Sequence, residues 1–361
     1  MFSPGVRCAR RQYSRNSKLC KTAVDILNPL MSDYSAGARN AVRVCLGIGS
    51  RDRVAVIRDR EATPIGDAIE AEALSAGAEV RSWTMEDWVE RPAREFARPL
   101  ADELIAFRPT ASYYLGESQP GELAFRQPML RLLTEQLNCR HGHMPGINDL
   151  LMQDGMAGDY EEIYRVTRRV WEIARHAARI DVTTKLGTEL SATFSPSLRW
   201  ISSDGRYHEQ GLWGNLPDGE TFTSPLGVDG VIAAEEIGDW FTPKYGIIDP
   251  PARLRVQGGR LTAVECDNPQ LKVDIEAYMS QHHLSNRVGE FAIGTNVGLQ
   301  RIVGNFLQDE KFPGVHMAFG DPYGHETGAD WSCPSHVDVL ASHATVSIDG
   351  RTIMADGKFT L

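Results

Sequence analysis

The stretch Arg53-Val-Ala-Val-Ile-Arg58 places four apolar residues between two arginines, which is typical of a short buried strand. An Ala- and Glu-rich segment from Ile65 to Ala76 predicts a helix, and Glu79-Val-Arg-Ser-Trp83 predicts a second strand. Ala111-Ser-Tyr-Tyr-Leu115 predicts a third strand, and an amphipathic helix is predicted after it from about Leu123 to Leu137. Strands that alternate with helices in this way predict a parallel, doubly wound sheet.

The rest of the chain has a different texture. A long amphipathic helix is predicted from about Tyr160 to Ala178, with Asp159 as a capping residue three positions before Glu162. Beyond it the sequence is rich in Thr, Val, Gly and Asp, and Asp349-Gly350 and Asp356-Gly357 are typical of hairpin turns. We therefore predict a basic segment at residues 1–35, an α/β domain with a mostly parallel sheet at 36–158, a linking helix at 159–180 and a β-rich α+β domain at 181–361.

Composition restricts the class of protein. With 361 residues, 42% of them hydrophobic and 24% charged, the chain is long enough for two domains and has the composition of a soluble globular protein. It has no run of apolar residues long enough for a transmembrane helix. The net charge of -10 includes six basic residues and only Asp25 within residues 1–30, so 32 basic and 47 acidic residues remain, a balance of -15. A body this acidic is expected to bind neither nucleic acid nor a membrane surface.

The basic N-terminal segment has more than one interpretation. The segment is either a disordered tail or the result of a gene start placed too far upstream, in which case the true domain would begin at Met31. An organelle transit peptide is less favoured, because the segment contains Arg and Ser but no clear amphipathic helix. The six cysteines form no C-x-x-C pair, which indicates free thiols in a reducing cytoplasm.

Two motifs near the C-terminus contain residue types that bind metals. The first is His316-Met-Ala-Phe-Gly-Asp-Pro-Tyr323, and the second is His336-Val-Asp338. Strand side chains two residues apart point to the same face, so His336 and Asp338 can reach one ion or an adjacent pair of ions. Because His316 stands in an apolar run, it needs a polar partner if it is buried.

Two glutamates earlier in this region could complete a metal site. Glu290 is flanked by Phe, Ala and Ile and needs a partner if it is buried, although a strand glutamate that faces water is the ordinary alternative. Glu220 follows a Pro-Asp-Gly turn and would by itself be a solvated turn residue. Four other histidines have no predicted role and are expected at the surface or in loops: His141, His143, His282 and His283.

Taken in order, these motifs resemble the aminopeptidase T and aminopeptidase S family of metallopeptidases. The segments that carry the resemblance are Leu216–Pro225, Gly289-Glu290, Asp309–Lys311, Gly314–Tyr323 and His336–Asp338. The resemblance covers about residues 36–361 and implies an α/β N-terminal domain, a metal-binding catalytic C-terminal domain and a homodimer. It also implies a pair of divalent ions, Zn, Co or Mn, held by Glu220, Glu290, His316, His336 and Asp338, with Tyr323 assisting.

The resemblance further implies a hydrolase that cleaves an amide or peptide bond in a short peptide or small molecule. Glu290 would bridge the two ions or accept a proton, and Tyr323 would donate a hydrogen bond to the oxyanion. The segment just before the second histidine departs from the family, because Asp330, Trp331 and Cys333 stand where Asn and Ser are usual. Such a segment predicts a substrate unlike a simple peptide. The tryptophan favours a flat or aromatic substrate, although a tryptophan that is simply packed in the fold is an equally good interpretation.

Two alternatives remain open. A ring-cleaving dioxygenase with one non-haem iron, resembling 2,5-dihydroxypyridine 5,6-dioxygenase, would need only two histidines and one carboxylate. That enzyme has a histidine where this chain has Glu290 and has no equivalent of Glu220, so the presence of both glutamates favours the two-metal hydrolase. A non-catalytic binding protein is the third possibility, and loss of ligand positions would mark it. No ligand position is lost in this sequence.

Overall fold

The structure is a computed structural model that describes residues 33–361, so the predicted basic segment at residues 1–35 lies almost entirely outside the described residues. The strands β1 to β19 are Arg53–Arg58, Glu79–Thr84, Ala111–Gly116, Arg140–Pro145, Arg179–Thr183, Glu189–Thr193, Ile201–Ser203, Trp213–Asn215, Glu220–Thr223, Gly227–Ala234, Glu236–Ile237, Ala252–Gln257, Arg260–Glu265, Val288–Gly294, Gly314–Gly320, His336–Ser342, Thr345–Ile348, Arg351–Ala355 and Lys358–Phe359. The α-helices α1 to α10 are Ser35–Arg39, Thr63–Ser75, Arg98–Phe107, Leu123–Arg131, Asp149–Gln153, Tyr160–Ala174, Phe241–Tyr245, Pro269–Met279, Phe306–Asp309 and Gly324–Thr327.

The first part of the chain forms a parallel sheet with helices on both faces. Its strand order is β2-β1-β3-β4-β8, and every neighbouring pair is parallel. Val54 and Val56 of β1 pack in one apolar cluster with α2, whereas Ala55 and Ile57 pack in a second cluster with α3 and α4. This alternation along one strand confirms the predicted doubly wound α/β arrangement.

Strand β4 is not predicted by its sequence, because Arg140-His-Gly-His-Met-Pro145 has no apolar alternation. It lies between β3 and β8, so His141 and His143 are only 0% and 6% exposed, and the expectation that they lie at the surface is wrong. Ser112 Oγ lies 2.8 Å from His141 Nδ1, and His141 Nε2 lies 3.2 Å from His143 Nδ1. Burial disfavours the charged imidazole and lowers the pKa of His141 to about 3, so this ring is neutral.

The second part of the chain is built from two antiparallel sheets that share one core. The eight-stranded sheet has the order β13-β12-β10-β6-β5-β17-β18-β19, and the six-stranded sheet has the order β11-β16-β15-β14-β9-β7. Apolar side chains from both sheets, such as Val182 and Leu190 from one and Phe291 and Met317 from the other, pack in the same cluster together with α8. This part therefore has the predicted β-rich α+β character, and the predicted fold class is confirmed.

Helix α6 begins as its capping residue predicts, because Asp159 Oδ1 accepts hydrogen bonds from the backbone N–H groups of Glu161 and Glu162. The division of the chain into domains at residues 158 and 181 stays a prediction. Strand β8 belongs by sequence to the predicted second domain, but it pairs with β4 in the parallel sheet of the first. His282 and His283, just after α8, are exposed as predicted. Among residues 33–361, none of the helices is both long and apolar enough to span a membrane.

Candidate metal centre

One face of the six-stranded sheet carries the five residues predicted to hold metal. They are Glu220 on β9, Glu290 on β14, His316 on β15, and His336 and Asp338 on β16. The strand pairings that align them are His316 with Ala292, Asp338 with Ala318, His336 with Gly320, and Glu220 with Gly294. Paired residues of antiparallel strands point to the same face, and Glu290 shares the face of Ala292 two residues further along. The sheet therefore brings all five side chains to one surface.

The alternation of residue types along these strands determines which face the polar side chains occupy. Phe291, Met317 and Val339 alternate with the polar residues and are fully buried in the core on the opposite face. A slip of one residue in register would bury the carboxylates in that core, so the apolar side chains specify the register. Between the polar side chains the face carries small residues, and a Cβ at Gly294 would lie only 2.0 Å from the carbonyl oxygen of Phe312.

The candidate ligands form two groups that share Glu290. In the first group, His316 Nε2 lies 3.2 Å from Glu220 Oε2 and 3.6 Å from Glu290 Oε1. In the second, His336 Nε2 lies 3.6 Å from Glu290 Oε2 and 3.5 Å from Asp338 Oδ2. The ligand atoms of each group all lie within 4.8 Å of one another. Glu290 thus directs one carboxylate oxygen at each histidine.

Contacts around the groups fix the orientation of the histidine on β16. His336 Nδ1 lies 3.0 Å from the carbonyl oxygen of Asp321, so Nδ1 carries the proton and donates, which leaves Nε2 free to act as a ligand. The hydroxyl of Tyr278 donates to the carbonyl oxygen of His336 at 3.0 Å. The ring of Tyr323 packs against the imidazole, with 4.5 Å between the two centroids. Tyr323 itself has a positive φ of 49°, and its N–H donates to Asp321 Oδ1.

Two charged residues at the centre were not assigned a role from the sequence. Lys311 is 1% exposed, and its Nζ donates to Glu220 Oε1 at 2.5 Å and lies 2.8 Å from Glu310 Oε1. Glu310 also belongs to a third group of ligand atoms, together with His316 and Asp338. The segment Asp309-Glu-Lys311 is one of the motifs that carry the family resemblance, so it is the sequence signal that could have identified these two residues. Its spacing does not show which side chains the two residues contact.

Burial and mutual contacts shift the ionisation of these groups. Burial opposes ionisation of Glu220, yet the neighbouring Lys311 and His316 lower its pKa to about 2. Burial alone would lower the pKa of His316, but the carboxylates of Glu220 and Glu290 raise it well above its ordinary value. Burial raises the pKa of Glu310 to about 7. The carboxylates therefore attract positive charge, which Lys311 and a protonated His316 supply in this structure.

The donor atoms fit divalent metal ions. Within the described part of the chain, Glu220 Oε2 and His316 Nδ1 are buried atoms that make no hydrogen bond of good geometry. A buried carboxylate oxygen without a donor is costly, and a metal ion at this position would satisfy it. The set contains imidazole nitrogens and carboxylate oxygens without a thiolate, which suits Zn, Mn, Co or Fe.

Known proteins resemble this chain in sequence and in fold. The family described as thermophilic metalloprotease (M29) matches residues 153–350. A structure of 2,5-dihydroxypyridine dioxygenase from Pseudomonas putida KT2440 is similar with a TM-score of 0.67 at 14% identity, covering 92% of this chain and 98% of that chain. Wild-type AmpT from Thermus thermophilus is similar with a TM-score of 0.65 at 17% identity, covering 91% of this chain and 99% of that chain. No curated protein sequence matches the chain. At these identities the two structures show a shared fold.

Proposed function

Because the chain belongs to the thermophilic metalloprotease (M29) family, we propose that it is a two-metal hydrolase of the aminopeptidase T and S type that cleaves an amide or peptide bond. The observation that carries this proposal is the carboxylate of Glu290. Its Oε1 and Oε2 atoms lie 3.6 Å from the Nε2 atoms of two different histidines, His316 and His336. A carboxylate that faces two imidazoles in this way is suited to bridge two ions.

The residues that would hold the pair of ions are Glu220, Glu290, His316, His336 and Asp338. When bound, such a pair of ions acidifies a water molecule and polarises the carbonyl group of an amide. We include Glu310 as a further carboxylate that would balance their charge, because its ligand atom lies within 4.8 Å of those of His316 and Asp338.

The chain's own side chains would position the reactants. Lys311 holds one oxygen of Glu220, which leaves the other oxygen directed at His316. Glu290 would bridge the two ions or, as the alternative role, accept a proton at the centre of the site. The phenol of Tyr323 is the candidate donor to the carbonyl oxygen of the substrate, because its ring packs against His336.

Metal analysis combined with an activity assay tests the proposal. Purified protein is expected to contain two divalent ions per chain and to release p-nitroaniline from an aminoacyl p-nitroanilide. Glu290→Gln should lose both most of the metal and most of the turnover. Glu235→Gln is the matched control, because Glu235 is also buried in this part of the chain but accepts hydrogen bonds from Ser342 instead of joining the ligand groups. Full metal content and full activity in the Glu290 variant would refute the mechanism.

The single-iron dioxygenase is the second candidate, since a dioxygenase has the same fold and His316, His336 and Asp338 would suffice for one iron. The proximity of Glu220 to His316, and of Glu290 to both histidines, favours the hydrolase. One iron per chain, with oxygen consumption in the presence of 2,5-dihydroxypyridine, would select the dioxygenase instead.

Location and partners are also part of this proposal. The four cysteines in the described part of the chain, Cys45, Cys139, Cys266 and Cys333, are free thiols, which supports a reducing compartment such as the cytoplasm. We expect a short peptide or small amide as substrate and a homodimer as the assembly, both on the strength of the family. Light scattering of purified protein would measure the assembly.

A further inference from the structure

The two groups of candidate ligands differ in the positive charge beside them. In the first group, Lys311 Nζ lies 2.5 Å from Glu220 Oε1, and the lysine side chain is only 1% exposed. Among residues 33–361, no other Lys or Arg lies within ion-pair distance of the five candidate ligands. The second group therefore contains no carboxylate that is paired with a permanently charged side chain.

Lys311 is held in its position from two sides. Its Nζ lies 2.8 Å from Glu310 Oε1 as well as close to Glu220, so moving it away would break two ion pairs. A buried ion pair that loses one partner leaves a desolvated charge behind. An ion bound between Glu220 and His316 would therefore share Glu220 with an ammonium group that stays in place. The two positive charges repel each other, and this repulsion is stronger in the protein interior than in water.

The two histidines differ in the contacts that prepare them as ligands. His336 Nδ1 donates to the carbonyl oxygen of Asp321 at 3.0 Å, which orients the ring and leaves Nε2 for an ion. His316 Nδ1 is buried and has no hydrogen-bond partner in the described part of the chain. Loss of a partner of this kind typically lowers metal affinity by about 10–100-fold. This difference favours the second group independently of the charge of Lys311.

We propose that the second group, Glu290, His336 and Asp338, binds its ion more tightly and fills first, and that Lys311 makes the first group the weaker and more readily exchanged position. This inference rests on the proposed function and deepens it, because it orders the two ions and assigns the order to one residue. Since the proposed hydrolysis uses both ions, turnover would follow the concentration of free metal through the weaker position.

Titration of chelator-treated, dialysed full-length protein with Co²⁺, followed by isothermal titration calorimetry, tests the order. Wild type is expected to show two classes of site, each for one ion, with dissociation constants at least about tenfold apart. Lys311→Gln removes the charge but keeps a hydrogen-bond donor for Glu220. This variant should tighten the weaker class by at least about tenfold and change the stronger class much less.

Lys244→Gln is the matched control, because Lys244 Nζ also lies 2.5 Å from a carboxylate, that of Asp274, which belongs to neither ligand group. It should leave both dissociation constants unchanged. A second measurement needs no variant, so it holds even if Lys311→Gln does not fold. In crystals of wild type grown with one equivalent of Co²⁺, anomalous scattering should place the ion at the second group.

Two equal classes of site would overturn the inference and leave the proposed function standing. So would an ion at the first group with one equivalent of Co²⁺, or a folded Lys311→Gln variant whose weaker class is unchanged or weakened. Binding of only one ion at saturating Co²⁺ would instead refute the two-metal hydrolase on which the inference rests.

Discussion

Lys311→Met is the substitution that most directly tests the electrostatics of the site. Lys311 is 1% exposed, and its Nζ lies 2.5 Å from Glu220 Oε1 and 2.8 Å from Glu310 Oε1. Methionine has a similar length and an apolar end, so it fills the space of the lysine and removes its charge. The two carboxylates would then be buried without their counter-ion.

The size of the effect follows from that burial. Removal of one partner of a buried ion pair costs about 3–5 kcal/mol, because the remaining charge stays desolvated. A typical domain is stable by about 5–15 kcal/mol, so this loss is a large share of the free energy of unfolding. Divalent ions bound at the centre would replace part of the missing positive charge. The difference in unfolding free energy between the variant and wild type should therefore become smaller when metal is added.

Urea unfolding of chelator-treated protein, followed by circular dichroism, measures the loss. Lys244→Met is the matched control, because Lys244 Nζ also lies 2.5 Å from a carboxylate, that of Asp274, but its side chain is 47% exposed. Its change in unfolding free energy is expected to be a small fraction of that for Lys311→Met. Equal stabilities of the two variants in the metal-free state would refute the reasoning.

Three further predictions concern other parts of the molecule. The unfolded chain binds a proton at His141 below about pH 6.5 but the folded chain does not, so the free energy of unfolding falls as pH falls. Between pH 8 and pH 5, His141→Gln should therefore lose about 2 kcal/mol less of its unfolding free energy than wild type loses, as measured by urea unfolding. Gly294→Ala should lower the free energy of unfolding by about 1–3 kcal/mol, because its Cβ would clash with the carbonyl oxygen of Phe312. Gly49→Ala is the control and should leave this free energy unchanged, because no atom lies within 4 Å of its Cβ. Tyr323→Phe should lower kcat by about 10²–10³-fold at unchanged metal content, and a fall in metal content instead would identify a structural role.

Local sequence patterns predicted the elements that form within one segment. The apolar run of β1, the amphipathic face of α6 and its Asp159 cap depend on neighbouring residues, so their periodicity is visible in the sequence. The strand β4 was missed because Arg140-His-Gly-His-Met-Pro145 becomes buried only when β3 and β8 enclose it. When a segment is buried by partners that are distant in sequence, the segment itself need not show a periodic pattern of apolar residues.

The same distinction applies to the candidate site. The sequence by itself determined which residue types could bind metal, and motif order selected Glu220, Glu290, His316, His336 and Asp338. Only the tertiary structure decided that the two oxygens of Glu290 face different histidines and that Lys311 holds Glu220. These features depend on the register of four strands and on side-chain direction across them. Register and direction are set by packing of the opposite face against the core, which no single segment encodes.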